Sequence, residues 1–143
     1  ILYQEEFLPQ LKLIKGLDIF FEKAFQSNIP MAIGSAAIPF NIDFVLDNLS
    51  LRHYFKTIIS ADDVVLSKPH PETYIKCADS LGVAYHDCIV FEDSPKGVKA
   101  AEAAGMKAVA ITTYHEPNDF SALTNILFFI EDYSDIKLQE LFN

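Results

Sequence analysis

The sequence predicts an α/β domain, a parallel sheet with helices packed on both of its faces. Two observations carry this. Short apolar runs of strand length alternate along the chain with stretches of helical period. Several of the runs, Cys88 to Phe91 among them, are apolar at every position rather than at every second one, the pattern of a strand covered on both sides.

Taken in order, Leu17, Phe20, Phe21, Ala24 and Phe25 recur at the spacing of one helix face, opened by Gly16. Pro30 follows, and Met31 to Ile33 form a short buried strand ending at Gly34-Ser35. Pro39 suits the first turn of a second helix, with Phe40, Phe44, Val45 and Leu49 on one side. Thr57 to Ile59 is the next strand, closed by Ser60-Ala61-Asp62-Asp63, where the two aspartates serve turn formation. The loop Lys68-Pro69-His70-Pro71 leads into a helix whose apolar face is Tyr74, Cys77, Ala78 and Leu81, with Gly82 just past its end. Cys88 to Phe91 is a strand ended by Glu92-Asp93, and Ser94 and Pro95 supply the N-cap and first position of an Ala-rich helix that stops at Gly105. Lys107 to Thr112 and Ile126 to Ile130 are the last strands, and Ser134 caps a final helix reaching Leu141.

Composition narrows the function. The chain has 143 residues, half of them apolar, enough for one core and too apolar for disorder. Twenty acidic residues against eleven basic give a net charge of −9, which argues against a nucleic-acid partner. An anionic small substrate fits only where a local cation offsets that field. The longest apolar runs fall well short of the roughly 20 residues of a membrane span, and no secretion signal is evident. Cys77 and Cys88 have no C-x-x-C spacing and read as reduced, buried thiols of a cytoplasmic protein. The four histidines show no metal-ligand spacing.

Ligands of parallel α/β sheets lie beyond the carboxyl ends of the strands. Ser35, Lys68 and Glu92-Asp93 each follow a predicted strand and so converge there. A hydroxyl, an ammonium and two carboxylates suit a phosphate with a divalent cation. Neighbouring carboxylates at a buried strand end need a compensating charge, and Mg²⁺ is the natural hard ion for them. The alternative is that Asp93 helps cap the next helix while Glu92 faces water. Lys68 acts either as a point charge for phosphate or as a solvated lysine. The amides of Ser35 and Ala36 form either an anion-binding nest or an ordinary strand-to-helix turn.

Ile33-Gly34-Ser35-Ala36, Ser67-Lys68-Pro69-His70-Pro71-Glu72, and Ile89 to Val98 continuing to Ala103-Ala104-Gly105-Met106 resemble the second, third and fourth motifs of the haloacid dehalogenase superfamily. The nearest branch is that of β-phosphoglucomutase-like enzymes and sugar-phosphate phosphatases. The resemblance implies a Rossmann-like core and Mg²⁺-dependent phosphoryl transfer through an aspartyl-phosphate, with a small phosphorylated sugar as substrate. It implies that Ser35 hydrogen-bonds the phosphate, with Ala36 beside it, that Lys68 neutralises the phosphate, and that Glu92 and Asp93 bind Mg²⁺ directly or through water.

The same resemblance exposes a gap. The first motif, Asp-x-Asp-Gly on the central strand, supplies the nucleophile, and no Asp-x-Asp occurs in this chain. The expectations are therefore an incomplete sheet with the central first strand missing, residues 1–10 as a remnant of the last cap helix, and residues 11–143 as the core. Ile1 is not an initiator, and the chain reads as the downstream part of something longer. Two facing strand edges without partners would cost about 1–3 kcal/mol per buried unpaired group. An upstream segment, a strand-swapped or complementing partner chain, or a rearranged sheet would each relieve this. The 143 residues alone are expected to be inactive, with a non-catalytic phosphate-binding or oligomerisation module as the alternative.

Overall fold

The computed structural model describes residues 2–3, 15–36 and 39–142; at Leu2, Tyr3, Pro39, Asn41, Ile42 and Val45 the description is of the backbone. Six parallel strands form one sheet: β1 (Leu2–Tyr3), β2 (Ala32–Gly34), β3 (Thr57–Ile59), β4 (Ile89–Glu92), β5 (Lys107–Ile111) and β6 (Ile126–Ile130), in the order β3-β2-β1-β4-β5-β6. Among the described residues four helices join them: α1 (Leu17–Gln26), α2 (Pro39–Asn48), α3 (Glu72–Leu81) and α4 (Pro95–Ala103).

Adjacent residues of one strand face opposite layers, the period of two that every strand imposes. Ile33 and Phe91 join Leu17, Phe20, Phe21 and Ala24 of α1 and Leu46 of α2 in one core cluster. Ala32 and Val90, one residue earlier, pack instead against Tyr74, Cys77 and Ala78 of α3 and Ala100, Ala101 and Ala104 of α4. A third cluster gathers Val98, Ala108, Ala110 and Phe120 near β6. The sheet is thus covered on both faces, which is why its strands are apolar throughout. Among the described residues, no helix is long and apolar enough to cross a membrane.

At the sheet's centre lies a strand of two residues. Leu2 pairs with Ala32 and Val90, and Tyr3 with Ile33 and Phe91. At these two residues the chain is a strand and not the end of a helix. The physical reason is that β2 and β4 each present backbone donors and acceptors that any extended dipeptide can satisfy. Residues 4–10, and the boundary expected after residue 10, lie outside the described residues.

Two local expectations also change. Phe40 and Phe44 stack on each other with ring centroids 6.5 Å apart but face outward, Phe40 being 72% exposed, while among the described side chains of α2 Leu46 enters the core and Leu49, just past the helix, packs against it. The final helix is a 3-10 segment, Ile136–Phe142, rather than an α-helix. The remaining elements agree within a residue or two. Gly82 ends α3 in the left-handed conformation at φ 68°, and Asp63 accepts hydrogen bonds from the amide and hydroxyl of Ser60 to close the turn after β3.

Phe91 sits at the hub of the first cluster, its ring 5.1 Å from Phe20 and 5.7 Å from Tyr133 between centroids. Phe91→Ala is expected to lower unfolding free energy by about 3–5 kcal/mol in urea titration, the usual cost of emptying a packed aromatic site. Burial pushes the Cys77 thiol from its usual value near 9 up to about 12. Because the unfolded chain sheds that proton first, stability is constant with respect to this group below pH 9 and falls as pH rises from 9 to 12. Cys77→Ala is expected to flatten the slope of unfolding free energy across that window.

Candidate phosphate site

Two strand ends and one loop build the site. β2 delivers Gly34 and then Ser35, whose amide donates to the Ile59 carbonyl at 2.9 Å and so continues the ladder to β3. That bond corrects the nest reading at Ser35, because its N–H is already committed to the sheet. Ser35 is buried and Ala36 is exposed. β4 delivers Glu92 and Asp93, and the loop after β3 delivers Lys68.

The structure brings Lys68 and Glu92 together at the carboxyl edge of the sheet. Lys68 Nζ donates to the Gly34 carbonyl at 3.1 Å and to Glu92 Oε2 at 3.2 Å. The Lys68 side chain is only 6% exposed and that of Glu92 is 0% exposed, so the ion pair is buried. Glu92 therefore does not face water. Its Oε2 also accepts the Tyr74 hydroxyl at 2.5 Å, while Oε1 accepts the Asp93 amide at 3.2 Å and the Ser94 hydroxyl at 3.3 Å. A buried carboxylate is tolerable only with this degree of compensation. Asp93 is half-buried beside it.

Two contributors escaped the sequence reading. Tyr74 was assigned to the core face of α3, which it does occupy, but its hydroxyl reaches Glu92 and its ring lies 4.6 Å from Lys68 Nζ. Burial, and then the charge of Glu92, hold its hydroxyl well above the usual tyrosine range. The signal was a tyrosine rather than a phenylalanine at a buried position, since a buried hydroxyl needs a partner. Gly97 is the second. A Cβ there would lie 1.9 Å from Glu92 Cδ, so only glycine leaves room for the carboxylate. A lone glycine inside an Ala-rich helix was the available clue. Ser94 acts as expected, capping α4 by accepting the Gly97 amide at 3.1 Å, and also donates to Glu92.

Among the described residues, no group of three or more His, Cys, Asp or Glu side chains comes together to hold a metal ion. The carboxylates here are Glu92, whose oxygens accept from Lys68, Tyr74, Asp93 and Ser94, and the half-buried Asp93, and carboxylate oxygen is the donor type a hard cation takes. That donor set fits one part of a Mg²⁺ shell, the remainder falling to water, phosphate oxygens or groups beyond these residues.

A buried ammonium clamped to a strand end and a carboxylate pair thus stand at the carboxyl edge of a parallel α/β sheet. The haloacid dehalogenase-like hydrolase model matches residues 2–111, and the chain belongs to that family. Fructose-1-phosphate phosphatase YqaB of Escherichia coli is 42% identical over 89 residues, covering 62% of this chain and 47% of the relative. A haloacid dehalogenase-superfamily hydrolase of family IA, variant 3, from Entamoeba histolytica superposes with a TM-score of 0.81 at 28% identity, covering 92% of this chain and 61% of that one. β-Phosphoglucomutase from Clostridium difficile superposes with a TM-score of 0.76 at 25% identity, covering 91% and 56%. The chain spans about half the length of the curated relatives it matches.

Gly97→Ala provides a sharp check on this geometry. The added methyl must displace the Glu92 carboxyl, and the expected loss is about 1–3 kcal/mol, the range for overpacking a filled interior. Urea midpoints of the variant and the parent protein measure it.

Proposed function

We propose that this chain is the charge-handling part of a cytoplasmic, Mg²⁺-dependent phosphoryl-transfer enzyme acting on a small phosphorylated sugar. The single observation that carries the reading is the buried Lys68 ammonium, held between the Gly34 carbonyl and Glu92 at the carboxyl edge of the sheet. In that role Lys68 neutralises the phosphate, the Ser35 hydroxyl and the backbone at Ala36 orient it, and Asp93 with Glu92 behind it contributes to Mg²⁺ binding. Mg²⁺, when bound, offsets charge on the transferring group. The rest of the catalysis is positioning and electrostatic stabilisation.

The aspartyl nucleophile lies outside these 143 residues, on an upstream segment or a complementing partner chain, and its aspartyl-phosphate divides one hard step into two. Support for this comes from the absence of any Asp-x-Asp in the sequence. The relatives' names, a fructose-1-phosphate phosphatase and hexitol phosphatase B, support a sugar-phosphate substrate. The same missing nucleophile favours a second reading, a phosphate-binding module without turnover.

Hydrolysis of p-nitrophenyl phosphate by the 143-residue chain, with and without Mg²⁺, tests the proposal beside a titration with inorganic phosphate. The expected result is no turnover above buffer, with saturable phosphate binding that Lys68→Ala abolishes. Mg²⁺-dependent turnover lost in Lys68→Ala would place the nucleophile within this chain. Absence of phosphate binding would remove the basis for both readings.

A further inference from the structure

We propose that Tyr74 is a positioning residue of the phosphate site, holding Glu92 and Lys68 in the arrangement in which the ammonium meets an incoming phosphate. The inference rests on the phosphate-site reading above. Tyr74 touches both members of the ion pair in different ways. Its hydroxyl donates to Glu92 Oε2 at 2.5 Å, the same oxygen that Lys68 Nζ reaches at 3.2 Å. The face of its ring carries the Lys68 ammonium 4.6 Å from the centroid, a cation–π contact.

The two oxygens of Glu92 are served from different places. Oε1 is held by the amide of Asp93 and the hydroxyl of Ser94, both in the turn that joins β4 to α4. Oε2 takes its donors from elsewhere, Lys68 in the loop after β3 and Tyr74 on α3. Without the Tyr74 hydroxyl, Oε2 would direct its charge at Lys68 alone. The carboxylate would then draw the ammonium inward, and a phosphate would compete against a stronger anion for the same cation. Lysine has a flexible four-carbon stem, so its location depends on such contacts more than on its own backbone.

The ring is itself held in place. A Cβ on Gly34 would lie 3.2 Å from Tyr74 Cε1, so the ring packs closely against the end of β2, next to the carbonyl that Lys68 also binds. A phenylalanine would fill this volume equally well. The hydroxyl is what a purely space-filling residue would not need, and burying it is favourable only because Glu92 receives it.

Tyr74→Phe in the 143-residue chain tests this, read by the ¹H–¹⁵N signal of the Lys68 ammonium without ligand and by titration with inorganic phosphate. The expected result is a displaced and broadened Lys68 signal with a dissociation constant for phosphate raised about tenfold, within the range of coupling between neighbouring groups. A lowered melting temperature with the Lys68 signal and phosphate affinity unchanged would make the hydroxyl purely structural and overturn the proposal. If the parent protein binds no phosphate, the phosphate-site reading fails, and the Lys68 signal still decides whether Tyr74 positions the ammonium. Should Tyr74→Phe fail to fold, the Tyr74 hydroxyl proton is followed instead in the parent protein and in Lys68→Met. Movement of that resonance supports a shared hold on Glu92, and an unmoved resonance overturns it.

Discussion

A negative charge at the centre of the sheet governs much of this structure. Glu92 is fully buried at the end of β4, where an uncompensated carboxylate would cost several kcal/mol. Its compensation comes from four places in the sequence: Lys68 in a loop, Tyr74 on α3, the Asp93 amide in the following turn, and Ser94 at the cap of α4. Each of these has its own constraint. Lys68 must reach past the Gly34 carbonyl, α3 must present Tyr74 at the sheet edge, and α4 must carry glycine at position 97 to admit the carboxyl group. Satisfying one charge therefore fixes the relative placement of β2, β4, α3, α4 and the loop between β3 and α3. The ammonium that answers Glu92 is thereby held at the carboxyl edge of the sheet.

How much of this could be read in advance depended on the kind of information each feature carries. Apolar runs such as Ile89 to Phe91 mark strands, because burial on both faces leaves no polar position to confuse the period. Ser94 and Pro95 mark the start of α4 through backbone chemistry that is local and nearly independent of context. Features set by tertiary packing were less legible. Phe40 and Phe44 have helical spacing, yet spacing cannot say whether the resulting stripe meets a core or solvent, and here it faces outward. The Ser35 amide looked available for an anion until β3 was seen to take it. Lys68, Ser35 and Glu92-Asp93 were legible as a set because strand ends in a parallel sheet converge, whereas Tyr74 and Gly97 sit inside helices and their link to Glu92 exists only in three dimensions.

The centre of the sheet separates two demands that usually coincide. Mechanically, β2 and β4 need backbone partners, and the Leu2-Tyr3 dipeptide supplies them in parallel register. Chemically, the carboxyl end of a central strand flanked by strands running off in both directions is where such sheets hold ligands. A backbone requirement is nearly indifferent to side chains; a nucleophile is not. Leu2-Tyr3 thus completes the ladder through its backbone, while the neighbouring strand end and loop carry Glu92, Asp93 and Lys68.

That separation bears on how the charge-handling groups can persist in place. Lys68, Glu92 and Tyr74 are held by one another and by Gly34, Asp93 and Ser94. These contacts tie β2, β4, α3, the turn into α4 and the loop after β3 to one point. Charged groups held by several contacts in this way are preorganised, and preorganisation lowers the cost of stabilising charge wherever it develops.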